Sequence, residues 1–453
     1  MSYYNDPNPN PNTNQTKYDY IIVGAGPCGL TLATYLSKYH KKCLIIDREE
    51  TIGGCHRVRR VNGLFTEHGP RIYTGSSYAF QNLLKTELKT SFNDIFVKSK
   101  YMNYINNKYV KNMSLQEILA FIKEYFFFLL GFRSKKTMKE FTQSFSPQTI
   151  EFIDHVCKTT DGAGIDRYTL TQFLQIINQH ALYNIYQPRL PNDLGLFPIW
   201  EKILLQRGVD IVLNTKVETI LKTGNEIIVN GTYTATNIIF AIPPENLSQI
   251  FPEINSFAQH TKYLTYLPFT FHWNQVFPSQ RPKIKLSEWG IIDIHLSNST
   301  KFSHPDSKTV ISVCIMNLDT PSKRTGKTAN QSSLEEISQE ILKHLLNFPP
   351  PTHIIPSPEI YRENERWVTR DRAFMTTPYG FINSKIENNI YTCGFHTGKS
   401  KYHFTSIEGA VQNAIYLVND LLNKDIKISQ SISLNIIIKF LILIIVFYKI
   451  LKQ

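Results

Sequence analysis

The chain has 453 residues, 42% hydrophobic and 12% aromatic, which suits two or three domains with their own cores rather than a disordered or fibrous chain. Its net charge of +12 comes from scattered Lys and Arg with no dense basic run between aromatics, so it reads as a solvated basic surface and nucleic-acid binding is not expected. The six cysteines, Cys28, Cys43, Cys55, Cys157, Cys314 and Cys393, make no C-x-x-C pair and no metal-ligand spacing; no metal is expected, and the thiols read as reduced, on a cytosolic face.

Residues 1–16 are Asn- and Pro-rich with almost no apolar residues, a composition expected to stay disordered, and they lack the features of a signal peptide. Tyr18 to Val23 is an apolar β-type run ending in glycine. Gly24, Gly26 and Gly29, with Pro27 and Cys28 between the last two, form G-x-G-x-x-G before a helical stretch. The first glycine permits a tight turn, the second lets backbone approach a pyrophosphate, and the third lets the helix pack on the strand. The helix N-terminus then presents N–H groups to phosphate. Cys43 to Ile46 is the next strand and ends at Asp47, where a carboxylate holding a ribose hydroxyl belongs. A second glycine turn, Gly53 and Gly54, follows in the run IGGCHRVRR.

From these two turns the sequence resembles the flavin-containing amine oxidase superfamily, which includes protoporphyrinogen oxidases and phytoene desaturases. The resemblance implies FAD, with Gly54 and Arg57 beside the diphosphate and His56 a weaker candidate. The segment Glu67 to Gly75, EHGPRIYTG, matches a Gly-Pro segment that passes beneath the flavin in that family. It is also similar to the Gly-Pro-His segment of UDP-galactopyranose mutases, with Arg71 in the histidine's place. Arg71 reads either as a structural ion-pair residue or as a holder of an anionic substrate or of the flavin's electron-rich edge.

Residues 80 to 190 lack β–α alternation. Leu115 to Phe132 is expected to be a helix of a substrate-covering domain, and Thr160 to Leu174 loosely resembles a turn and helix of protoporphyrinogen oxidases. Leu194 to Leu221 returns to helix, turn and strand, with one strand through Val212 and a second through Val217. The resemblance places the Val217 backbone at the adenine. Glu226 to Thr234 reads as a hairpin, and Asn237 to Pro244 as a buried strand with a Pro-Pro stop. Residues 256 to 385 read as mixed α/β.

Asn389 to Leu422 is the closing motif: an apolar strand to Gly394, a loop, then Ile407, Glu408, Gly409 and Ala410 at a helix start. In the family this helix start faces the flavin's N1–O2 edge, where its N-terminus favours negative charge. Three features depart from the amine oxidase pattern. Tyr266 to Pro278 has no lysine, Ser406 stands where a tyrosine is usual, and His396 stands where glutamate is usual. These put amine oxidation itself in question. His272, Trp273, Trp367 and Tyr379 are candidate pocket residues, with His272 and Trp367 named as substrate contacts beside Arg71. Cys393 is a remote candidate for a covalent flavin link. No catalytic residue is assigned.

Ile432 to Leu451 supplies the length of apolar chain that crosses a membrane, with Lys439 costing about 3 kcal/mol at its centre. The expected fold is therefore α/β: a Rossmann-type FAD-binding domain (17–80, 191–255, 386–428) with an inserted mixed α/β substrate domain (81–190, 256–385) and a C-terminal transmembrane helix (431–451). The transmembrane helix is expected to anchor the protein to membrane lipid by its tail, with the catalytic part facing the cytosol. The expected function is hydride transfer from an apolar or amphiphilic small molecule to flavin N5, with reoxidation by oxygen as in an amine oxidase or protoporphyrinogen oxidase. The alternatives are a redox-neutral flavin isomerase resembling UDP-galactopyranose mutase, or a non-enzymatic membrane flavoprotein.

Overall fold

The structure is a computed structural model that describes residues 16–69, 71–99, 112–161, 164–277, 286–345, 348–370, 374–376, 382–400 and 406–451. The N-terminal tail expected to be disordered, Pro70 of the Gly-Pro segment and Tyr379 lie outside the described residues.

The principal sheet has the order β20 (Lys385–Glu387), β21 (Ile390–Thr392), β11 (Tyr233–Phe240), β1 (Lys17–Val23), β2 (Cys43–Ile46), β8 (Asp210–Val212). From β21 to β8 every neighbour is parallel, and β20 closes the edge antiparallel. A parallel strand covered on both faces carries a continuous apolar run. β1 and β2 do so, and Ile21, Ile22, Leu44 and Ile45 are fully buried. Strands β9 (Ile220–Thr223) and β10 (Glu226–Val229) hang antiparallel from β11, so the hairpin read at 226–234 forms. The strand expected through Val217 instead begins at Ile220. Asn214 N and Thr215 N donate to Glu49 O and Asp47 O, both at 2.9 Å, and hold the preceding segment against the end of β2.

On one face of this sheet α1 (Pro27–Lys38), α2 (Tyr78–Thr86), α6 (Leu196–Gln206) and α8 (Ile407–Leu422) share a core that includes Leu36, Phe80, Trp200 and Val411. Trp200 Nε1 donates to Thr34 Oγ1 at 2.9 Å, so its one polar atom is satisfied inside that core. The remaining chain builds a second region from two parts. One is helical, with α3 (Leu115–Leu129), α4 (Pro147–Asp161) and α5 (Leu170–His180) around Phe128, Met138, Cys157 and Tyr168. The other is an antiparallel sheet, β14 (Ile291–His295), β15 (Thr309–Ile315), β13 (Leu267–Trp273), β16 (His353–Pro356), backed by α7 (Leu334–Leu345). Short pairs link the regions: β3 (Val58–Val61) with β4 (Leu64–Glu67), β17 (Ile360–Glu363) with β18 (Arg366–Thr369), and β12 (Lys262–Leu264) with β19 (Phe374–Thr376). A three-stranded sheet places β7 (Ile185–Pro188) between β5 (Tyr73–Thr74) and β6 (Phe96–Lys98).

The C-terminal expectation is corrected. The chain forms α9 (Leu434–Leu451), but among the described residues no helix is long and apolar enough to cross a membrane. Its 18 residues, at about 1.5 Å each, fall short of a hydrocarbon core of about 30 Å. Ile432, just before it, and Asn435, in its first turn, bind the helical part instead. Tyr183 Oη donates to Ile432 O at 3.0 Å, Asn435 N donates to Asn178 Oδ1 at 2.8 Å, and Tyr125 Oη donates to Asn435 Oδ1 at 2.8 Å. The transmembrane anchor and lipid contact through this helix are withdrawn.

Candidate functional site

The site begins where β1 turns into α1. Gly24 has φ +109°, its N–H donates to Ile46 O at 2.8 Å, and a Cβ there would lie 2.7 Å from Ala241 O. A Cβ on Gly29 would lie 1.9 Å from Gly24 O, so α1 is seated on the turn closer than any side chain allows. Pro27 opens the helix at its first position, where no hydrogen bond is lost, and no side chain caps the N-terminus. The free N–H groups there are donors for an anion.

The second glycine turn closes onto the first. Gly53 N donates to Ala25 O at 2.8 Å, and Gly53 has φ +119° with the Phe197 ring directly against it. Gly54 has φ +55°, and a Cβ on it would lie 2.9 Å from Gly26 Cα. Two bare backbones therefore meet at the N-terminus of α1, beside Cys28, which is buried in its first turn. Such a cradle of exposed peptide groups fits the diphosphate of a dinucleotide.

Asp47 stands at the end of β2 with Oδ2 accepting from Ala25 N at 2.6 Å and Oδ1 from Glu49 N at 2.9 Å. Burial raises its pKa, and these two N–H bonds oppose the rise. Val217 is buried in the segment tied to Asp47 O, so the residues expected at the ribose and the adenine share one end of the sheet. Arg57 lies elsewhere in the hydrogen-bond scheme than expected. Its Nη1 donates to Gly54 O at 2.8 Å, and its Nη2 pairs closely with Glu359 and lies 3.6 Å from Glu49 Oε2. Its charge is matched by two buried carboxylates.

At the closing motif, Cys393 N donates to Phe240 O at 2.9 Å and brings Gly394 to the C-terminal edge of the sheet. Ser406 caps α8, its Oγ accepting from Gly409 N at 3.0 Å, and Ile407 is buried behind it with Ala410 half-buried. The Glu408 carboxylate faces another helix. Its oxygens accept from Ala79 N and Phe80 N, each at 2.9 Å, and from Gln412 Nε2 at 2.8 Å. Glu408 thus caps α2, and burial pushes its pKa up to about 7. His396 bonds Thr392 Oγ1 at 2.7 Å, and burial lowers its pKa to about 3, so it is a neutral core residue.

Of the three expected substrate residues, the structure separates Arg71 from the other two. His272 is fully buried on β13, with Nδ1 2.7 Å from Ser307 Oγ and Nε2 2.9 Å from Phe65 O. Burial lowers its pKa to about 4. Trp367 Nε1 donates to Ser332 O at 2.9 Å, and its ring packs edge-on to Phe269 in the sheet core. These partners place both in the core, and among the described residues no hydrogen bond joins either to Arg71.

Arg71 is itself buried in a polar chamber that sequence reasoning did not assemble. Its Nη2 donates to Cys55 O, and its carbonyl accepts from Gln187 Nε2 at 2.6 Å. Asn192 Nδ2 donates to Tyr73 Oη at 3.0 Å, and His56 Nδ1 lies 3.0 Å from the same oxygen. Among the described residues, Glu67 Oε2, His68 Nδ1, Arg71 Nε, Gln187 Oε1 and Asn192 Oδ1 are buried without a hydrogen-bond partner. Such atoms cost about 1–3 kcal/mol each when left unmade, so this group is a candidate seat for a polar ligand. Burial pushes the Glu67 carboxyl up to about 7, with Arg71 opposing the rise, while burial and Arg71 together lower His68. In the sequence Arg71 was the one member of this group named as a substrate residue. Gln187, Asn192 and Tyr266, whose ring packs beside Gly69, come from distant segments.

Comparison with known proteins agrees with this geometry. The NAD(P)-binding Rossmann-like domain matches residues 22–86, and the flavin containing amine oxidoreductase family matches residues 195–422, half of the chain. A structure of putrescine oxidase superposes with a TM-score of 0.65 at 15% identity, covering 90% of this chain and 99% of that one. An oxidoreductase from Methanosarcina mazei gives 0.61 at 14%, covering 89% and 100%, and cyclohexylamine oxidase from Brevibacterium oxydans gives 0.60 at 12%, covering 89% and 99%. These identities speak to the fold. UDP-galactopyranose mutase of Mycoplasma genitalium is 27% identical over 208 residues, 44% of this chain and 45% of that protein, so the chain spans under half the length of this curated relative. The chain belongs to the flavin-containing amine oxidoreductase family and is an FAD-dependent oxidoreductase.

Proposed function

We propose that the protein oxidises a small amphiphilic molecule whose polar end enters the chamber around Arg71. The observation that carries this reading is the set of five buried, unpartnered polar atoms beside the second glycine turn. FAD, when bound, supplies hydride acceptance at N5 and passes the electrons on to oxygen. The chain's own part is to hold and orient. Gly24, Gly26, Pro27, Cys28, Gly29 and Gly54 would line the diphosphate, Asp47 and Val217 the adenosine, and Gly394 with the start of α8 the flavin's pyrimidine edge. Arg57 would contact the diphosphate only by exchanging a carboxylate partner. A wholly apolar substrate would leave the chamber unsatisfied, so the amphiphilic class is favoured. The test is anaerobic mixing of the flavin-loaded protein with a panel of amines, alcohols and acids: bleaching of the flavin by one class, with oxygen consumption on admitting air, is expected. No bleaching by any class would remove this reading.

A second reading is a redox-neutral isomerase acting on a nucleotide sugar, as the relative's name indicates for that protein. It is motivated by the 27% identity and by Arg71 standing in the segment that resembles the mutases. Interconversion of UDP-galactopyranose and UDP-galactofuranose by dithionite-reduced protein, without net flavin oxidation, would select it.

A further inference from the structure

An open cleft of about 960 Å³ lies between the β3–β4 hairpin, the loop after β7 and the β14–β15 connection. Its walls are held by the chain itself. Arg60 grips Asp193 with two bonds, Nε to Oδ2 at 2.7 Å and Nη2 to Oδ1 at 3.0 Å, and its guanidinium lies 5.3 Å from the centre of the Phe302 ring. Thr300 Oγ1 donates to Pro188 O at 2.8 Å, and Lys301 N donates to Arg189 O at 2.7 Å. A turn closed by Ser307 N donating to His304 O at 3.0 Å folds the connection back, so that Lys301 and Lys308 line the same cleft. Asp193 follows Asn192, whose Nδ2 donates to His56 O and Tyr73 Oη in the Arg71 chamber. Cleft and chamber therefore back onto one loop, yet they share no lining residue.

Among the described residues the lining carries three cations, Arg60, Lys301 and Lys308, and no carboxylate. Asp193 answers Arg60. Lys301 and Lys308 are exposed, and among the described residues no ion pair joins either to a carboxylate. Leu190 and Leu194, 39% and 56% exposed, line the same space with the Phe302 ring. We propose that this cleft is a second ligand site, for a small phosphate monoester with a flat apolar body. Two ammonium groups are compact point charges that suit a dianion, and a phosphate monoester carries about −1.5 to −2 charge at pH 7 where a carboxylate carries one. The apolar body covers Leu190, Leu194 and Phe302, which removes apolar surface from water. Binding here needs no flavin chemistry, so the site stands or falls apart from the oxidase reading.

The test is calorimetry on the FAD-loaded full chain at about pH 7.5, with naphthyl phosphate as the probe. It binds at least about tenfold tighter than inorganic phosphate, naphthol or naphthoate, and weakens as pH falls through about 6, where the phosphate takes its second proton. Lys301→Glu with Lys308→Glu lowers its affinity at least about tenfold and leaves the FAD content unchanged, and the milder pair Lys301→Gln with Lys308→Gln lowers it at least about threefold. Lys202→Glu with Lys427→Glu makes the same change in net charge at exposed positions outside the cleft and leaves affinity within about twofold. Leu194→Ser weakens naphthyl phosphate but not inorganic phosphate. No measurable binding of naphthyl phosphate, or equal binding of the four probes, overturns the proposal. So do equal losses in the two glutamate pairs, which would make the cleft part of a general basic surface.

Discussion

Gly54 lies on Gly26 with no room for a side chain: a Cβ on Gly54 would come within 2.9 Å of the Gly26 Cα. Each turn shapes the other. Gly53 N–H holds Ala25 O, and Asp47 holds Ala25 N–H, so the peptide between the glycines of the first turn is fixed from both sides. These contacts within the chain give the two turns the shape of a diphosphate cradle.

Gly54→Ala separates the two turns. The added Cβ meets backbone rather than a flexible side chain, and φ +55° adds about 1 kcal/mol of strain. FAD affinity should fall at least about tenfold, measured as flavin retained per protein after dialysis. Gly208→Ala is the control. It has φ +72° but nothing within 4 Å, so it should cost about 1 kcal/mol of stability and leave FAD in place. Equal flavin loss in both would refute the interlocked cradle.

Glu408→Ala leaves Ala79 N–H and Phe80 N–H without the acceptor that caps α2. Hydrogen bonds to a charged group contribute about 1.5–3 kcal/mol each, so a loss of at least about 2 kcal/mol in urea unfolding is expected. A loss under about 0.5 kcal/mol would mean that Glu408 does not hold the two helices together.

The glycines and Asp47 were readable because each obeys a local spacing rule. Glu408 was readable as part of a motif, but its task was not, since its partners Ala79 and Phe80 lie in a distant helix. His272 and Trp367 looked like pocket residues because polar and aromatic groups in an apolar run resemble a site. Hydrogen bonds to Phe65 O and Ser332 O, from segments far along the chain, make them core. Hydropathy alone read residues 432–451 as a span. It could not register that Asn435 and the carbonyl of Ile432 are held by Asn178, Tyr125 and Tyr183. The Arg71 chamber draws on four separate stretches, and only Arg71 itself stood out.

Six histidines with lowered pKa values set the acid limit of the fold. Burial lowers His155, His180 and His272 from 6.5 to about 4, His396 to about 3, and His56 and His68 well below 6.5. A group held neutral in this way contributes stability that is present above the unfolded pKa and is lost as pH falls through 6.5 toward the folded value. Glu67 and Glu408, raised to about 7, act in the opposite sense, gaining stability as pH falls below that value. The six histidines outnumber these two and Asp47, which burial also raises, so the unfolding midpoint should drop between about pH 6.5 and pH 4. Glu408→Gln, which removes one opposing term, should steepen the drop. A midpoint that rises on acidification through this window would show that the histidines are not held neutral.

The most direct measurement is the visible spectrum of the purified chain after incubation with FAD and gel filtration. Bands near about 370 and 450 nm, which belong to the oxidised cofactor, at close to one flavin per chain and lost in Gly54→Ala, are the predicted result. A colourless protein that does not take up added FAD would contradict the account at its centre.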